Sequence, residues 1–196
     1  MIDNISACSD DELQALLRQQ LLDHAILRGD FVLKSGKRST WFIDVKASVC
    51  RPEGIVLVAE LMLRSLGHEV TALGGQTMGA DPIAFGVAAI AASRGRALRS
   101  FAIRKEPKDH GPGGWVAGVL DSSDRVVVVE DASTRGTSML AAVEAVRAVG
   151  AEVVGALSVV DRGGSAGRLL GDLGIPYHAL LSAPELGLSY EGGLEP

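Results

Sequence analysis

The chain has 196 residues, 47% of them hydrophobic and 22% charged, enough for one globular domain with a sizeable core and a small subdomain. Its formal net charge is −5, so bulk electrostatics speak against nucleic acid, and any local basic cluster must answer to a local anion. Cys8 and Cys50 form neither a metal spacing nor a disulfide framework, which suits a reducing, cytoplasmic setting; the chain shows no signal peptide, and no apolar run is long enough to span a bilayer.

Ser9-Asp10-Asp11-Glu12 reads as a capping box, and Leu13, Leu16, Leu17, Leu21 and Ile26 give the helical stripe that follows it. A strand from Phe31 runs into a turn at Gly36, with 40–45 as its antiparallel partner. Pro52 opens a helix ending near Gly67. From there the chain alternates: strands over 70–73, 98–103, 126–129, 152–160 and 177–181, a β segment over 115–120, and helices over 81–94, 137–149 and 164–173. That rhythm implies an α/β fold with a mostly parallel central sheet flanked by helices. The segment before about residue 50 breaks the rhythm and is expected to form a small N-terminal hood on a single domain spanning 1–196.

In open α/β sheets ligands bind at the carboxyl ends of strands, and four segments place functional groups there. The most informative begins with four valines, Val126 to Val129, which run into Glu130 and Asp131. A hydroxyl-rich stretch, Ala132, Ser133, Thr134, Arg135, Gly136 and Thr137, then opens a helix. The two carboxylates can accept hydrogen bonds from vicinal ribose hydroxyls. Backbone N–H groups at the helix start can hold a phosphate. A buried strand whose acids merely cap the helix is the alternative, but paired carboxylates are costly unless a cation or hydroxyls occupy the site.

The second segment, Gly74 to Pro82, has glycines that permit backbone approach to pyrophosphate; a plain tight turn is the other reading. The third, Arg104-Lys105-Glu106-Pro107-Lys108-Asp109-His110-Gly111, is too charged to pack and suits a mobile lid over a polyphosphate, with a solvated hairpin as the alternative. The fourth is Asp161-Arg162, where Arg162 can fork onto a carboxylate or pair with Asp161 at the surface. Lys34 before Ser35-Gly36, taken alone, is an exposed turn lysine.

Together with Lys34-Ser35-Gly36 and Trp41-Phe42, these segments resemble the orotate phosphoribosyltransferases in order and spacing over about residues 10 to 190. The resemblance implies a reaction: orotate and 5-phosphoribosyl 1-pyrophosphate (PRPP) give orotidine 5′-monophosphate and pyrophosphate, with Mg²⁺ on the sugar hydroxyls and pyrophosphate and no direct protein ligands to the metal. By the same resemblance, Glu130 and Asp131 hold the ribose, and residues 132 to 137 hold the 5′-phosphate. Arg104, Lys105, Lys108 and His110 hold pyrophosphate. Lys34, Thr134, Arg162 and the Phe42 backbone hold the pyrimidine. Lys105, Lys108, His110 and Asp131 are the catalytic candidates. The resemblance further implies a homodimer whose loop closes over the neighbouring subunit's site.

The chain departs from the family pattern in two places. Thr77-Met78 stands where many relatives carry a lysine. Arg135 puts a bulky cation in the phosphate cradle, and its side chain is expected to point out of a nest that already supplies its donors. Transfer to another base, and a PRPP-sensing regulator without catalysis, are the alternative functions. Lys34 and Arg162 favour an anionic base, and the intact basic loop favours catalysis.

Overall fold

The computed structural model describes residues 5–32, 36, 38–108 and 114–191, with the Lys108 side chain left out. Helix α1 (Asp10–His24) starts as its sequence directs: Ser9 Oγ accepts from the Glu12 N–H at 3.3 Å, and Glu12 Oε2 accepts from the Ser9 N–H at 2.8 Å. Leu13, Leu17 and Leu21 are buried along one line of the helix. Leu16 lies about 100° around from Leu17 on a helical wheel and is exposed.

Ile26 does not continue that helix. It begins strand β1 (Ile26–Val32), which pairs antiparallel with β2 (Arg38–Ile43), Ile26 opposite Ile43. This two-stranded sheet lies within the segment before about residue 50 that is expected to form the hood. A short helix α2 (Lys46–Val49) and then α3 (Pro52–Ser65) lead out of it. Sequence periodicity missed α2, because four residues cannot show a helical period.

The main body alternates as expected: β3 (Ala72–Gln76), α4 (Asp81–Ser93), β4 (Arg99–Lys108), β5 (Gly114–Gly118), β6 (Arg125–Ser133), α5 (Thr137–Val149), β7 (Glu152–Asp161), α6 (Ala166–Gly171) and β8 (Tyr177–Ser182). The six strands stand in the order β5-β4-β3-β6-β7-β8, all neighbours parallel except the β4–β5 pair. The order jumps between β3 and β6. Chains leaving these two strands diverge, and a crevice opens at their carboxyl ends.

The valine run of β6 is apolar throughout because both of its faces are covered. Val127 and Val129 belong to the core with α1, α3 and α4, whereas Val126 and Val128 pack with Met139, Val143 and Val146 of α5. Two strands outrun the sequence reading. β6 continues through Ser133, because β7 pairs with it as far as Asp161. β4 continues through Lys108, because β5 returns alongside it with Gly114 opposite Lys108. No helix among the described residues is long and apolar enough to cross a membrane.

Candidate active site

Glu130 and Asp131 sit inside the β6 ladder rather than beyond it, so the bend before α5 is short: Thr134 to Gly136. Gly136 takes a left-handed conformation (φ +81°) and starts α5 with no side-chain cap. A side chain there would be strained by the positive φ and crowded by Ala166, whose atoms would lie 3.3 Å from an added Cβ. The helix therefore presents its first N–H groups and the positive end of its dipole without a protein acceptor at the cap.

An open cavity of about 640 Å³ lies over this bend. Its walls include Glu130, Asp131 and residues 132 to 137 on one side, and Phe42, Ile43 and Arg162 on another. The residues expected at ribose and phosphate, together with Phe42, Thr134 and Arg162 of those expected at the base, thus share one space. Arg135 is exposed at its rim.

The acid pair is divided by environment. Burial and, next, the adjacent Asp131 together drive the Glu130 carboxyl up to about 8, against the opposing charges of Lys46 and Lys105. Glu130 Oε2 is buried with no hydrogen-bond partner among the described residues. Asp131 is held on several sides. Its Oδ1 accepts from the Ala132 N–H at 2.9 Å, and its Oδ2 accepts from Lys46 Nζ at 3.0 Å. The glycine-rich loop packs on the same carboxylate: a Cβ on Gly79 would stand 2.4 Å from Asp131 Oδ1. That loop is tied to β4 by the Thr77 N–H donating to the Ile103 carbonyl at 2.8 Å, with Thr77 Oγ1 turned inward onto Asp81 Oδ2 at 2.6 Å. Met78 is left exposed.

Asp161 and Arg162 do not form the surface pair that one reading of the sequence allowed. Asp161 Oδ1 accepts from the Gly163 and Gly164 N–H groups at 3.1 and 2.8 Å, shaping the turn after β7. Arg162 is buried and lies over the Trp41 and Phe42 rings, 4.6 and 5.7 Å from their centres. Its N–H donates to the Ser133 carbonyl at 2.7 Å, fixing it beside the phosphate bend. Nε and Nη2 of Arg162 have no hydrogen-bond partner among the described residues, although Nη2 is 3.8 Å from Glu191 Oε2. Burial weakens the guanidinium's hold on its proton, and Glu191 strengthens it. Glu191 Oε2 also accepts from Ser39 Oγ, and the Glu191 N–H donates to the Arg162 carbonyl at 3.1 Å.

The basic segment is placed less centrally. Arg104 Nη1 donates to the Gly114 and Val116 carbonyls at 3.0 and 2.9 Å, closing its own hairpin rather than lining the cavity. Lys105 is exposed on β4, near enough for its charge to act on Glu130. Lys34 and His110 lie outside the described residues, as does the Lys108 side chain. Sequence reasoning passed over Lys46, Asp44 and Glu191. The available signal was Asp44-Val45-Lys46 directly after a strand, which is the placement that singled out the other candidates.

The phosphoribosyl transferase domain model matches residues 83–171. The chain is 41% identical to an orotate phosphoribosyltransferase of Streptomyces avermitilis, covering 91% of this chain and 99% of the relative. It is 42% identical to that of Streptomyces coelicolor, covering 90% and 98%. Among solved structures, it is similar to the Mycobacterium tuberculosis orotate phosphoribosyltransferase in complex with Fe(III) dicitrate, with a TM-score of 0.79, 34% identity and coverage of 90% and 99%. The same enzyme in complex with PRPP gives a TM-score of 0.75 at 32% identity, with the same coverage.

Proposed function

The chain belongs to the orotate phosphoribosyltransferase family, and from that premise we propose how its residues share the work. The enzyme transfers the 5-phosphoribosyl group of PRPP to orotate, forming orotidine 5′-monophosphate and pyrophosphate for pyrimidine biosynthesis. The bond from ribosyl C1 to pyrophosphate breaks, its electron pair leaving with pyrophosphate, and a ring nitrogen of orotate bonds to C1 with loss of its proton.

The uncapped start of α5 with residues 132 to 137 takes the 5′-phosphate, since backbone N–H groups and the helix dipole favour an anion there. Asp131 and Glu130 take the ribose hydroxyls. Across the same cavity, Arg162 and the Phe42 backbone take orotate, with Thr134 and Lys34. The flat guanidinium on two aromatic rings is already oriented to meet a planar anion. As C1 gains oxocarbenium character, negative charge grows on pyrophosphate. Lys105, Lys108, His110 and Arg104 carry the cations that meet it, and they shield the site from water.

Magnesium fits the donor set. Glu130 and Asp131 offer hard oxygen donors, one of them a buried oxygen without a partner, though no group of three or more His, Cys, Asp or Glu among the described residues is built to enclose a metal. Glu130 and Asp131 would lie alongside an ion held mainly through PRPP and water, and it would supply counter-charge to pyrophosphate.

A homodimer is part of the proposal, with residues 104 to 114 serving the partner's site. The exposed Trp115 and Val119 beside the edge strand β5 support an apolar contact there. Cys8 and Cys50 are free thiols, which supports a cytoplasmic setting.

One observation carries the residue assignment: acid pair, uncapped helix start and aromatic-backed arginine share a single cavity. Loss of orotate absorbance on adding PRPP and Mg²⁺ tests the activity, and turnover of another base but not orotate would overturn it.

A further inference from the structure

Lys46 comes from the hood, yet its ammonium reaches the carboxyl end of β6. Nζ is 3.0 Å from Asp131 Oδ2 and 2.9 Å from Asp44 Oδ1. Asp44 Oδ1 also accepts from the Lys46 N–H at 3.3 Å, so the same carboxylate holds the lysine's backbone and its head group. The contact joins α2, which follows the two-stranded sheet, to β6 of the six-stranded sheet. It is half-buried, with 40% of the lysine side chain and 12% of the aspartate side chain exposed.

We propose that Lys46 is a positioning residue for phosphoribosyl transfer: it fixes the Asp131 carboxylate for the ribose hydroxyls and ties the hood to the sugar site. This rests on the ribose-binding role given to Asp131 above. The geometry supports it in three ways. Asp131 Oδ1 is already engaged by the Ala132 N–H and packed against Gly79, so the Lys46 contact at Oδ2 removes the remaining freedom of the carboxylate. An oxygen bonded once by an ammonium still has a lone pair for a hydroxyl, so the contact orients Asp131 without blocking it. The cation also offsets the mutual repulsion of two adjacent carboxylates at a site that must receive a polyanion. Burial works against the lysine's charge, but its hydrogen bonds to Asp44 and Asp131 prevail and raise its affinity for the proton.

The test is a double-mutant cycle read by calorimetric PRPP binding with Mg²⁺, with thermal melting of each variant as a folding control. Lys46→Ala is expected to weaken PRPP binding about tenfold, and Lys46→Arg to recover most of the loss, because the paired cation is restored. In an Asp131→Asn background, Lys46→Ala should cost less than about twofold, because the partner through which it acts is gone. If Lys46→Ala melts early, Lys46→Met, which keeps the aliphatic stem, replaces it. Unchanged or tighter PRPP binding in the Lys46 variants overturns the proposal, the tighter result showing a competitor for Asp131. Additive losses overturn it too, since Lys46 would then act elsewhere. If Asp131→Asn alone leaves PRPP affinity intact, the ribose assignment itself has failed, which is a separate result.

Discussion

The Arg162 guanidinium carbon sits 4.6 Å from the centre of the Trp41 ring, so a residue after β7 is oriented by a residue of the hood. A planar guanidinium stacks on such a face and keeps its edge for a ligand; an ammonium does neither. Arg162→Lys should therefore raise the KM for orotate at least about tenfold, while leaving PRPP affinity within about threefold. Steady-state kinetics with each substrate varied in turn will separate the two. An equal loss for both substrates would remove Arg162 from the base site.

Glu130 should make the ligand-free fold pH-dependent. Its carboxyl is raised from 4.5 to about 8, so between these values the folded state holds a proton that the unfolded chain releases. Stability from this group is full below the unfolded value and is lost as pH rises through the folded one. Glu130→Gln cannot ionise and escapes that loss. The melting temperature of the variant minus that of the parent should therefore grow from about pH 5 to about pH 9. A flat difference would mean that Glu130 titrates as an ordinary carboxyl.

Lys108→Ala and Asp131→Asn should each abolish most activity, and mixing the two inactive proteins should restore part of it. If the basic segment serves the partner's site, a mixed dimer contains one site with both residues intact. No recovery after verified subunit exchange would mean that each chain supplies its own loop.

Arg135 is exposed on the cavity rim. Arg135→Thr should leave PRPP affinity within about threefold, under ~1 kcal/mol, because the backbone at the start of α5 supplies the phosphate donors. Calorimetry decides this: a tenfold loss would make Arg135 a phosphate ligand, and a tenfold gain would show that it crowds the cradle.

The alternation of strands and helices was legible because buried parallel strands are short apolar runs and helices such as α5 carry both a period and a clear start at Gly136-Thr137. Strand ends were less legible. Nothing local in Glu130 to Ser133 announces a ladder; β7, which lies across a helix in sequence, supplies the partner. The same holds for Arg104 to Lys108, whose charge reads as loop until β5 returns beside it. Site residues that follow a strand with a recognisable string, such as Glu130-Asp131 and Asp161-Arg162, stood out. Lys46 and Glu191 did not, since each matters only through a partner far away in the chain, Asp131 in one case and Ser39 with Arg162 in the other.

With the 5′-phosphate assigned to it, the bare start of α5 would also tie the upkeep of the fold to metabolism. A helix whose N-cap is glycine forgoes about a few tenths of a kcal/mol relative to a hydroxyl or carboxylate cap, and the phosphate assigned to this helix start would make good that deficit only while it is present. By mass action, occupancy at a hundredfold excess over Kd adds about 2.7 kcal/mol to resistance against unfolding. In a cell well supplied with PRPP, less of this protein is expected to stand open to proteases; in a starved cell, turnover rises. Supply of the precursor would thus regulate how much of its own consumer survives, with no dedicated sensor. The check is a melting temperature raised by ribose 5-phosphate at fixed chloride and ionic strength, since inorganic phosphate stabilises folded proteins in general; an unchanged value would break the link.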